Sequence, residues 1–121
     1  MAPYTRAIIR TQRVDNGVMR IELLHIDDCP NTAETQQRLE AALKVLGRSE
    51  IPVCMRQLNS ASDIRGTGFA GSPTITVEGN DIFPTGSVAD DLACRVYATP
   101  HGLAGLPTLE QVTEALKNHG L

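Results

Sequence analysis

The chain contains no tryptophan, and aromatic residues make up only 3% of its 121 residues. A hydrophobic core must therefore be built from aliphatic side chains, and the 41% hydrophobic content is enough to fold one domain of this length. No apolar run is long enough to span a membrane, and no hydrophobic segment typical of a signal peptide is present. The formal net charge of -3 argues against nucleic acid as the main partner.

Cysteine is also scarce. The chain has three cysteines, an odd number that is too small for the disulfide scaffold of a secreted domain. They form no Cys-x-x-Cys pair, no His-x-x-x-His pair occurs, and no glycine group follows a strand and opens a helix as a nucleotide-binding loop does. We therefore expect no bound metal or cofactor, and a reducing, cytoplasmic setting.

The local patterns divide the chain into two parts. Residues 1–18 are predicted to form an N-terminal arm or an extra edge strand, and residues 19–121 the folded domain. Apolar alternation predicts strands, and helical spacing with caps and glycine stops predicts helices, in the order β-α-β-(α)-β-β-α-α. The predicted strands cover residues 20–26, 51–58, 74–77 and 82–83, the last two joined by a Gly79-Asn80 turn, and the predicted helices cover residues 30–46, 60–65, 87–97 and a last segment capped by Thr108 with Gln111 and closed by Gly120.

Cys29 lies where the first predicted strand runs into the first predicted helix. The thiolate form of cysteine is the nucleophile, and the unpaired N–H groups at a helix start stabilise that anion. The position of the helix start has two readings. Pro30 suits the first helical position and makes Cys29 the capping residue. Alternatively, Asn31 is the cap and Glu34 completes a pair that resembles a capping box.

Charges near Cys29 act on its thiolate in both directions. The helix start favours the thiolate by about 0.3–1 kcal/mol, whereas Asp27 and Asp28 each oppose it by about 1 kcal/mol or less. His25 lies two strand positions before Asp27, so it points to the same side and is placed to pair with it. The sequence therefore predicts that these three residues modulate the Cys29 pKa, and it does not predict a strongly acidic thiol.

A second motif, Ser72-Pro73-Thr74, stands at the start of the third predicted strand. Proline lacks an N–H group, so at a strand it needs an edge or a special turn, and a cis bond after Ser72 would supply one. A cysteine at the start of the first helix, followed later by such a proline, resembles the pattern of thioredoxin-like proteins. Residues 20–83 are in particular similar to short bacterial members of that group, some of which are labelled alkylmercury lyase.

The resemblance implies a thioredoxin-like α/β fold, with a mixed four-stranded sheet flanked by helices and a cis proline that faces the cysteine. It implies Cys29 as the nucleophile and Thr32 as a hydrogen-bond donor to the sulfur. It also implies Ser72, Pro73 and Thr74 as the substrate-binding groove. Dithiol members carry a second cysteine where Thr32 stands, so a route with one cysteine needs an external thiol such as glutathione, or another cysteine of the chain brought close.

The other two cysteines lie in different patterns. Cys54 stands in a predicted strand and is expected to be buried as a small hydrophobe. Cys94 lies opposite the apolar stripe of the predicted helix over residues 87–97, so it is expected to be exposed or covered by another element. A role for either cysteine depends on whether the fold brings it near Cys29.

Three functional hypotheses fit these observations. The first is a thiol-disulfide oxidoreductase or thiol-dependent reductase with a single active-site cysteine, acting on a thiol or disulfide substrate such as glutathione. The second is a non-catalytic thioredoxin-like binding module in which Cys29 is inert. The third is the handling of a soft metal or an organomercurial compound, which requires Cys29, Asp28 and Cys94 to meet around one ion.

Overall fold

The computed structural model describes residues 19–83 and 92–121. The predicted arm or edge strand of residues 1–18 lies outside the described residues, as does the part of the predicted helix over residues 87–97 that precedes Leu92. The helices are α1 (Thr32–Val45), α2 (Ala61–Ile64) and α3 (Leu109–Asn118), and the strands are β1 (Ile21–His25), β2 (Val53–Gln57), β3 (Thr74–Val77), β4 (Asn80–Asp81), β5 (Tyr97–Thr99) and β6 (Gly102–Ala104).

Four of the strands form one mixed sheet in the order β2-β1-β3-β4. β1 runs parallel to β2 and antiparallel to β3, and β3 turns back into the antiparallel β4. Leu23 in β1 therefore has Met55 as its neighbour on one side and Ile75 on the other. These findings confirm the predicted α/β class with a mixed four-stranded sheet and helices. β5 and β6 pair with each other in a separate two-stranded sheet.

Both faces of β1 are buried. Successive strand residues point to opposite faces, and Leu23 and Leu24 accordingly belong to different apolar clusters. Leu23 packs in the cluster of α1 and α3, and Leu24 packs in the cluster that contains Phe69, with each of the three at most 1% exposed. Full burial of one such side chain stabilises the fold by about 1.5–3 kcal/mol relative to leaving it exposed. β1, the strand that leads to Cys29, is therefore packed against an apolar cluster on each of its faces.

Local signals explain the limits of the long helices. Glu34 and Arg38 form an ion pair of 2.7 Å on the outer side of α1. At the start of α3 the predicted capping box is confirmed, because the Gln111 N–H donates to the Thr108 hydroxyl at 3.1 Å and the Thr108 N–H donates to the Gln111 side-chain oxygen at 3.0 Å. Such a cap contributes about 0.5–2 kcal/mol. Among the helices of the two described ranges, none has the length and apolar character that crossing a bilayer requires.

The hairpin between β3 and β4 turns one residue earlier than predicted. Val77 pairs with Asn80, so the turn residues are Glu78 and Gly79, which adopt φ angles of 52° and 83°. Two consecutive residues with positive φ are what a tight hairpin turn of this length requires. The Glu78 carboxylate also accepts a hydrogen bond from the backbone N–H of Arg20, which ties the turn to the start of β1. The predicted return strand at residues 82–83 therefore lies just beyond β4.

The prediction of helix is wrong for residues 92–97. Cys94 instead makes an isolated parallel bridge with Ser72, and Tyr97 begins β5. Arg95 and Tyr97 are buried at 4% and 5% exposure, whereas Val96 between them is 61% exposed. This alternation has the period of a strand. The contacts that Arg95 makes with distant parts of the chain hold the segment extended and override its helical spacing.

The expectation that Cys54 is buried is also wrong. Cys54 lies in β2, an edge strand in the described sheet, where it pairs with Glu22 and is exposed. Four of the five residues of this strand are exposed, and Val53 alone is partly buried. The apolar residues Val53 and Met55 on either side of Cys54 indicated that it is buried. That indication was misleading because an edge strand exposes more of its residues to solvent than a central strand does.

Candidate functional site

Cys29 lies between the carboxyl end of β1 and the start of α1, where it is partly buried. Asp28 adopts a left-handed backbone conformation with φ of 60°, and its N–H donates to the Asp27 carboxylate at 3.0 Å, so the chain turns sharply just before the cysteine. The helix begins at Thr32 with Asn31 as its cap, in agreement with one of the two predicted starts. The Asn31 side chain makes no capping hydrogen bond, and Glu34 pairs with Arg38 instead of closing a capping box.

A cleft of about 300 Å³ opens at Cys29. Five of the residues that the sequence singled out line this cleft, because the end of β1, the turn that follows it and the first turn of α1 meet there. The cleft is lined by His25, Ile26, Asp27, Asp28, Cys29, Thr32, Ala33, Gln36 and Gln57.

The Ser72-Pro73 peptide bond is cis, as the sequence predicts, and it lies beside Cys29. The Ser72 hydroxyl accepts a hydrogen bond from the Ile26 N–H at 3.1 Å, and it lies near enough to the Cys29 sulfur to lower the pKa of that thiol. One buried serine therefore connects the end of β1, the cysteine and the start of β3. The two motifs that the sequence shows far apart meet at this hydroxyl.

Hydrogen bonds at Cys29 favour its thiolate. Burial of the sulfur raises the pKa of Cys29, but hydrogen bonds from the hydroxyls of Ser72 and Thr32 and from the N–H groups of Asn31 and Thr32 leave this pKa below its ordinary value. The Thr32 hydroxyl oxygen is buried and has no hydrogen-bond partner of standard geometry among the described residues, but it lies close enough to the sulfur to contribute to the lowered Cys29 pKa. The site thus favours the nucleophilic form more than the sequence indicates.

The acidic pair contributes less to this pKa than the hydrogen bonds do. Asp27 and Asp28 are exposed, and they are not among the groups that contribute most to the Cys29 shift. Exposed charges are screened by solvent, which weakens their effect on a neighbouring anion. His25 lines the same cleft and is partly buried. The modulating roles of these three residues stay predictions.

The loop predicted to bind substrate is buried. Ser72 and Thr74 are both 0% exposed, and Pro73 between them is buried as well. The Thr74 hydroxyl donates to the Gly71 carbonyl and accepts from the N–H of Ala70 at 3.1 Å. These three residues therefore lie beneath the surface in the described part of the chain, and their role in binding a substrate stays a prediction.

An internal clamp, formed by Arg95 and Tyr97, holds this loop and was not foreseen from the sequence. The Arg95 guanidinium pairs with both carboxylate oxygens of Asp81 at 3.0 Å, and it donates to the Phe83 carbonyl. The Tyr97 hydroxyl donates to the Pro73 carbonyl, and the Arg95 guanidinium lies 4.6 Å from the centre of the Tyr97 ring. Burial raises the pKa of Tyr97 well above its ordinary range. The alternation of Arg95 and Tyr97 with Val96 was the available signal.

Cys94 lies beside Ser72 in the same segment. The Ser72 N–H donates to the Ala93 carbonyl at 2.8 Å, and the Arg95 N–H donates to the Ser72 carbonyl at 2.9 Å, so Cys94 stands in register with Ser72. Cys94 is exposed and unbonded to another cysteine. Two of the three thiols are therefore neighbours of one serine, whereas Cys54 stands opposite Glu22 in the sheet.

Within residues 19–83 and 92–121, no group of three or more histidine, cysteine, aspartate or glutamate residues is arranged to hold a metal ion. No family model, no curated protein and no solved structure matches the chain.

Proposed function

We propose that the protein is a thiol-disulfide oxidoreductase or thiol-dependent reductase of thioredoxin-like fold, with Cys29 as its nucleophile. The observation that carries this proposal is the set of hydrogen bonds that lowers the Cys29 pKa at the junction of β1 and α1. A thiolate attacks a disulfide or another electrophile far faster than a thiol does, so a cysteine held in this form is suited to such chemistry.

The architecture around Cys29 supports a thioredoxin-like fold. β1, α1 and the parallel β2 precede an antiparallel β3–β4 hairpin, and the cis Ser72-Pro73 bond stands directly before β3. This is the arrangement that the sequence resemblance implies. In this proposal Thr32 and Ser72 stabilise the thiolate, and Pro73 shapes the wall behind the sulfur.

The substrate we propose is a thiol or a disulfide, with glutathione as a suitable example. The cleft at Cys29 has a volume of about 300 Å³, which admits a small molecule or part of one. Its polar lining includes His25, Gln36 and Gln57, which can bond to the amide and carboxylate groups of such a molecule. Asp27 and Asp28, which line the same cleft, favour contact with the ammonium group of glutathione over contact with its carboxylates.

The proposal is tested by measuring how fast each cysteine is alkylated by iodoacetamide as a function of pH. Trypsin separates the three cysteines into the peptides 21–38, 49–56 and 66–95, so each rate is followed by mass spectrometry in one sample. We expect Cys29 to react at a lower pH than Cys54, which serves as the exposed internal reference. If Cys29 reacts no faster than Cys54 at any pH, the protein is better described as a binding module with an inert cysteine.

One observation favours the soft-metal hypothesis as a second candidate. Cys29 and Cys94 are both neighbours of Ser72, and a pair of thiolates is the ligand set that soft metal ions prefer. A titration with mercuric ion tests it, because binding through both cysteines protects both from alkylation at one ion per chain. Protection of Cys29 without Cys94 would reject this candidate.

A further inference from the structure

We infer that Cys94 is the second thiol of the site: it resolves a mixed disulfide formed at Cys29 and produces an internal disulfide between the two cysteines. The inference rests on the proposed function of Cys29 as a nucleophile. The sequence pattern had placed Cys94 on a predicted helix, outside the Cys29 and Ser72-Pro73-Thr74 motifs.

The register of the chain places Cys94 beside the active-site loop. Both backbone groups of Ser72 are bonded to the residues that flank Cys94, its N–H to Ala93 at 2.8 Å and its carbonyl to Arg95 at 2.9 Å. Strands that pair in this way lie about 4.8 Å apart. Cys94 is therefore held against Ser72 by two hydrogen bonds.

The direction of the side chains brings the two cysteines to the same side of this loop. Residues paired in parallel register project their side chains to the same face of a sheet. The Ser72 hydroxyl is close enough to the Cys29 thiol to act on it, so Cys94 projects from the side of the loop on which Cys29 lies. A disulfide joins residues whose Cα atoms are about 4.4–6.8 Å apart, so Cys94 and Cys29 have to approach to that distance for the bond to close.

The neighbours of Cys94 keep this register. Gly71 approaches the segment so closely that a Cβ atom on it would lie 2.8 Å from the Cβ of Arg95. Arg95 itself is buried and bonded to Asp81, so the backbone on one side of Cys94 is anchored. The Cys94 side chain is exposed, which leaves it able to move toward the sulfur of Cys29.

The alternatives for a second thiol are less favourable. The position of the second cysteine in a Cys-x-x-Cys site is taken by Thr32. Cys54 lies in β2, where it pairs with Glu22 of β1, and β1 separates it from β3, which directly follows the Ser72 loop. Cys94 is therefore the thiol that the fold supplies.

The reaction proceeds in two thiol-disulfide exchanges. The Cys29 thiolate attacks one sulfur of a low-molecular-weight disulfide such as glutathione disulfide, forms a mixed disulfide, and releases one glutathione thiolate that takes a proton from water. The Cys94 thiol gives up its proton to water, and its thiolate attacks the Cys29 sulfur and releases the second glutathione. The second glutathione also leaves as a thiolate and takes a proton from water. Counted from the neutral thiols of Cys29 and Cys94, the protein loses two electrons and two protons, and glutathione disulfide gains both to give two molecules of glutathione.

The test uses the full chain, its Cys94→Ser variant and its Cys54→Ser variant as a matched control. Each folded protein is incubated with glutathione disulfide, quenched in acid, and analysed by intact mass and by tryptic mapping without reduction. We expect the wild-type chain and Cys54→Ser to lose two hydrogens and to show peptides 21–38 and 66–95 joined. We expect Cys94→Ser to retain one glutathionyl group on peptide 21–38.

The outcomes separate the inference from the function on which it rests. A lasting glutathionyl adduct at Cys29 in all three proteins would leave Cys29 as the nucleophile and reject Cys94 as the resolving thiol. A disulfide between Cys29 and Cys54 would reject it as well. No reaction at Cys29 in any of the proteins would overturn both the proposed function and this inference. Circular dichroism of Cys94→Ser confirms that the variant is folded, and Cys94→Ala provides a second variant.

Discussion

Arg95 and Asp81 form a two-point ion pair, with both nitrogen-oxygen distances at 3.0 Å. The side chains are 3% and 12% exposed, so the pair lies almost entirely away from solvent. Through it, the segment that carries Cys94 is attached to the end of β4, and the Ser72 loop is held between that segment and β1. The integrity of the candidate site thus depends on charges that have no direct contact with the reactive sulfur.

Replacing Asp81 by asparagine should destabilise the fold strongly, because the guanidinium of Arg95 would stay buried without its counter-charge. We expect the free energy of unfolding to fall by about 3 kcal/mol, the lower end of the effect of breaking a buried pair, since Arg95 keeps its bond to the Phe83 carbonyl. Urea denaturation measures the change. Glu50→Gln, which breaks the exposed pair of 3.3 Å with Arg48, is the control and should cost less than about 1 kcal/mol. Equal losses in the two variants would contradict the argument.

Thr32→Val should raise the pKa of Cys29 toward its ordinary value of 9.0, because it removes a hydroxyl donor while keeping the shape of the side chain. The pH at which alkylation of Cys29 reaches half its maximal rate measures this pKa. The alkylation rate of Cys54 in the same sample should match that in the wild-type chain. An unchanged midpoint for Cys29 would show that the Thr32 hydroxyl does not act on the sulfur.

Ser72→Ala should raise the same pKa and also lower stability. The variant removes the acceptor of the Ile26 N–H as well as the hydrogen bond to Cys29, and an unpaired backbone group costs about 1–3 kcal/mol when it is desolvated. Thermal and urea unfolding give the stability, and alkylation against pH gives the pKa. A change in only one of these two quantities would show that the serine does not serve both contacts.

The lowered pKa of Cys29 also predicts how stability depends on pH. Between the folded-state pKa and 9.0, the unfolded chain binds more protons at this thiol than the folded chain does, so stability due to Cys29 rises with pH across that window. It is lost as the pH falls through the folded-state pKa. We expect the free-energy difference between the wild-type chain and Cys29→Ser to grow with pH in this window. A difference that stays constant would mean that the thiol has the same pKa in both states.

Gly71→Ala should displace the Cys94 segment. The methyl group added at Gly71 would lie 2.8 Å from the Cβ of Arg95. The φ of +111° at Gly71 is also unfavourable for alanine. Gly66→Ala is the matched control, since its φ is +76° and no atom lies within 4 Å of the added carbon. We expect Gly71→Ala to retain alkylation of Cys29 but to slow closure of the internal disulfide at least tenfold relative to Gly66→Ala. Similar closure rates would show that the segment is not held by this contact.

Sequence periodicity predicted the elements that are stabilised by local contacts or by the packing of one apolar face. The helix α1, the capped helix α3 and the strand β3 follow from spacing, capping residues and apolar runs, and Cys29 and Pro73 were recognised from their places at element ends. The prediction failed at residues 92–97, where the decisive contacts are with Asp81 and Ser72. Local spacing carries no information about a partner ten or more residues away, so the segment that completes the site was assigned to a helix.

The paired backbone groups of Ser72 have a consequence for the size of the substrate in the proposed function. Extended polypeptides commonly dock by adding themselves as a strand, which requires free N–H and carbonyl groups on the receiving chain. At Ser72 both groups are already bonded to Ala93 and Arg95. A protein substrate would have to break two hydrogen bonds before it formed its own, whereas a small molecule reaches the sulfur through the cleft without that cost. Under the proposed function, this arrangement favours compact molecules over polypeptides as substrates.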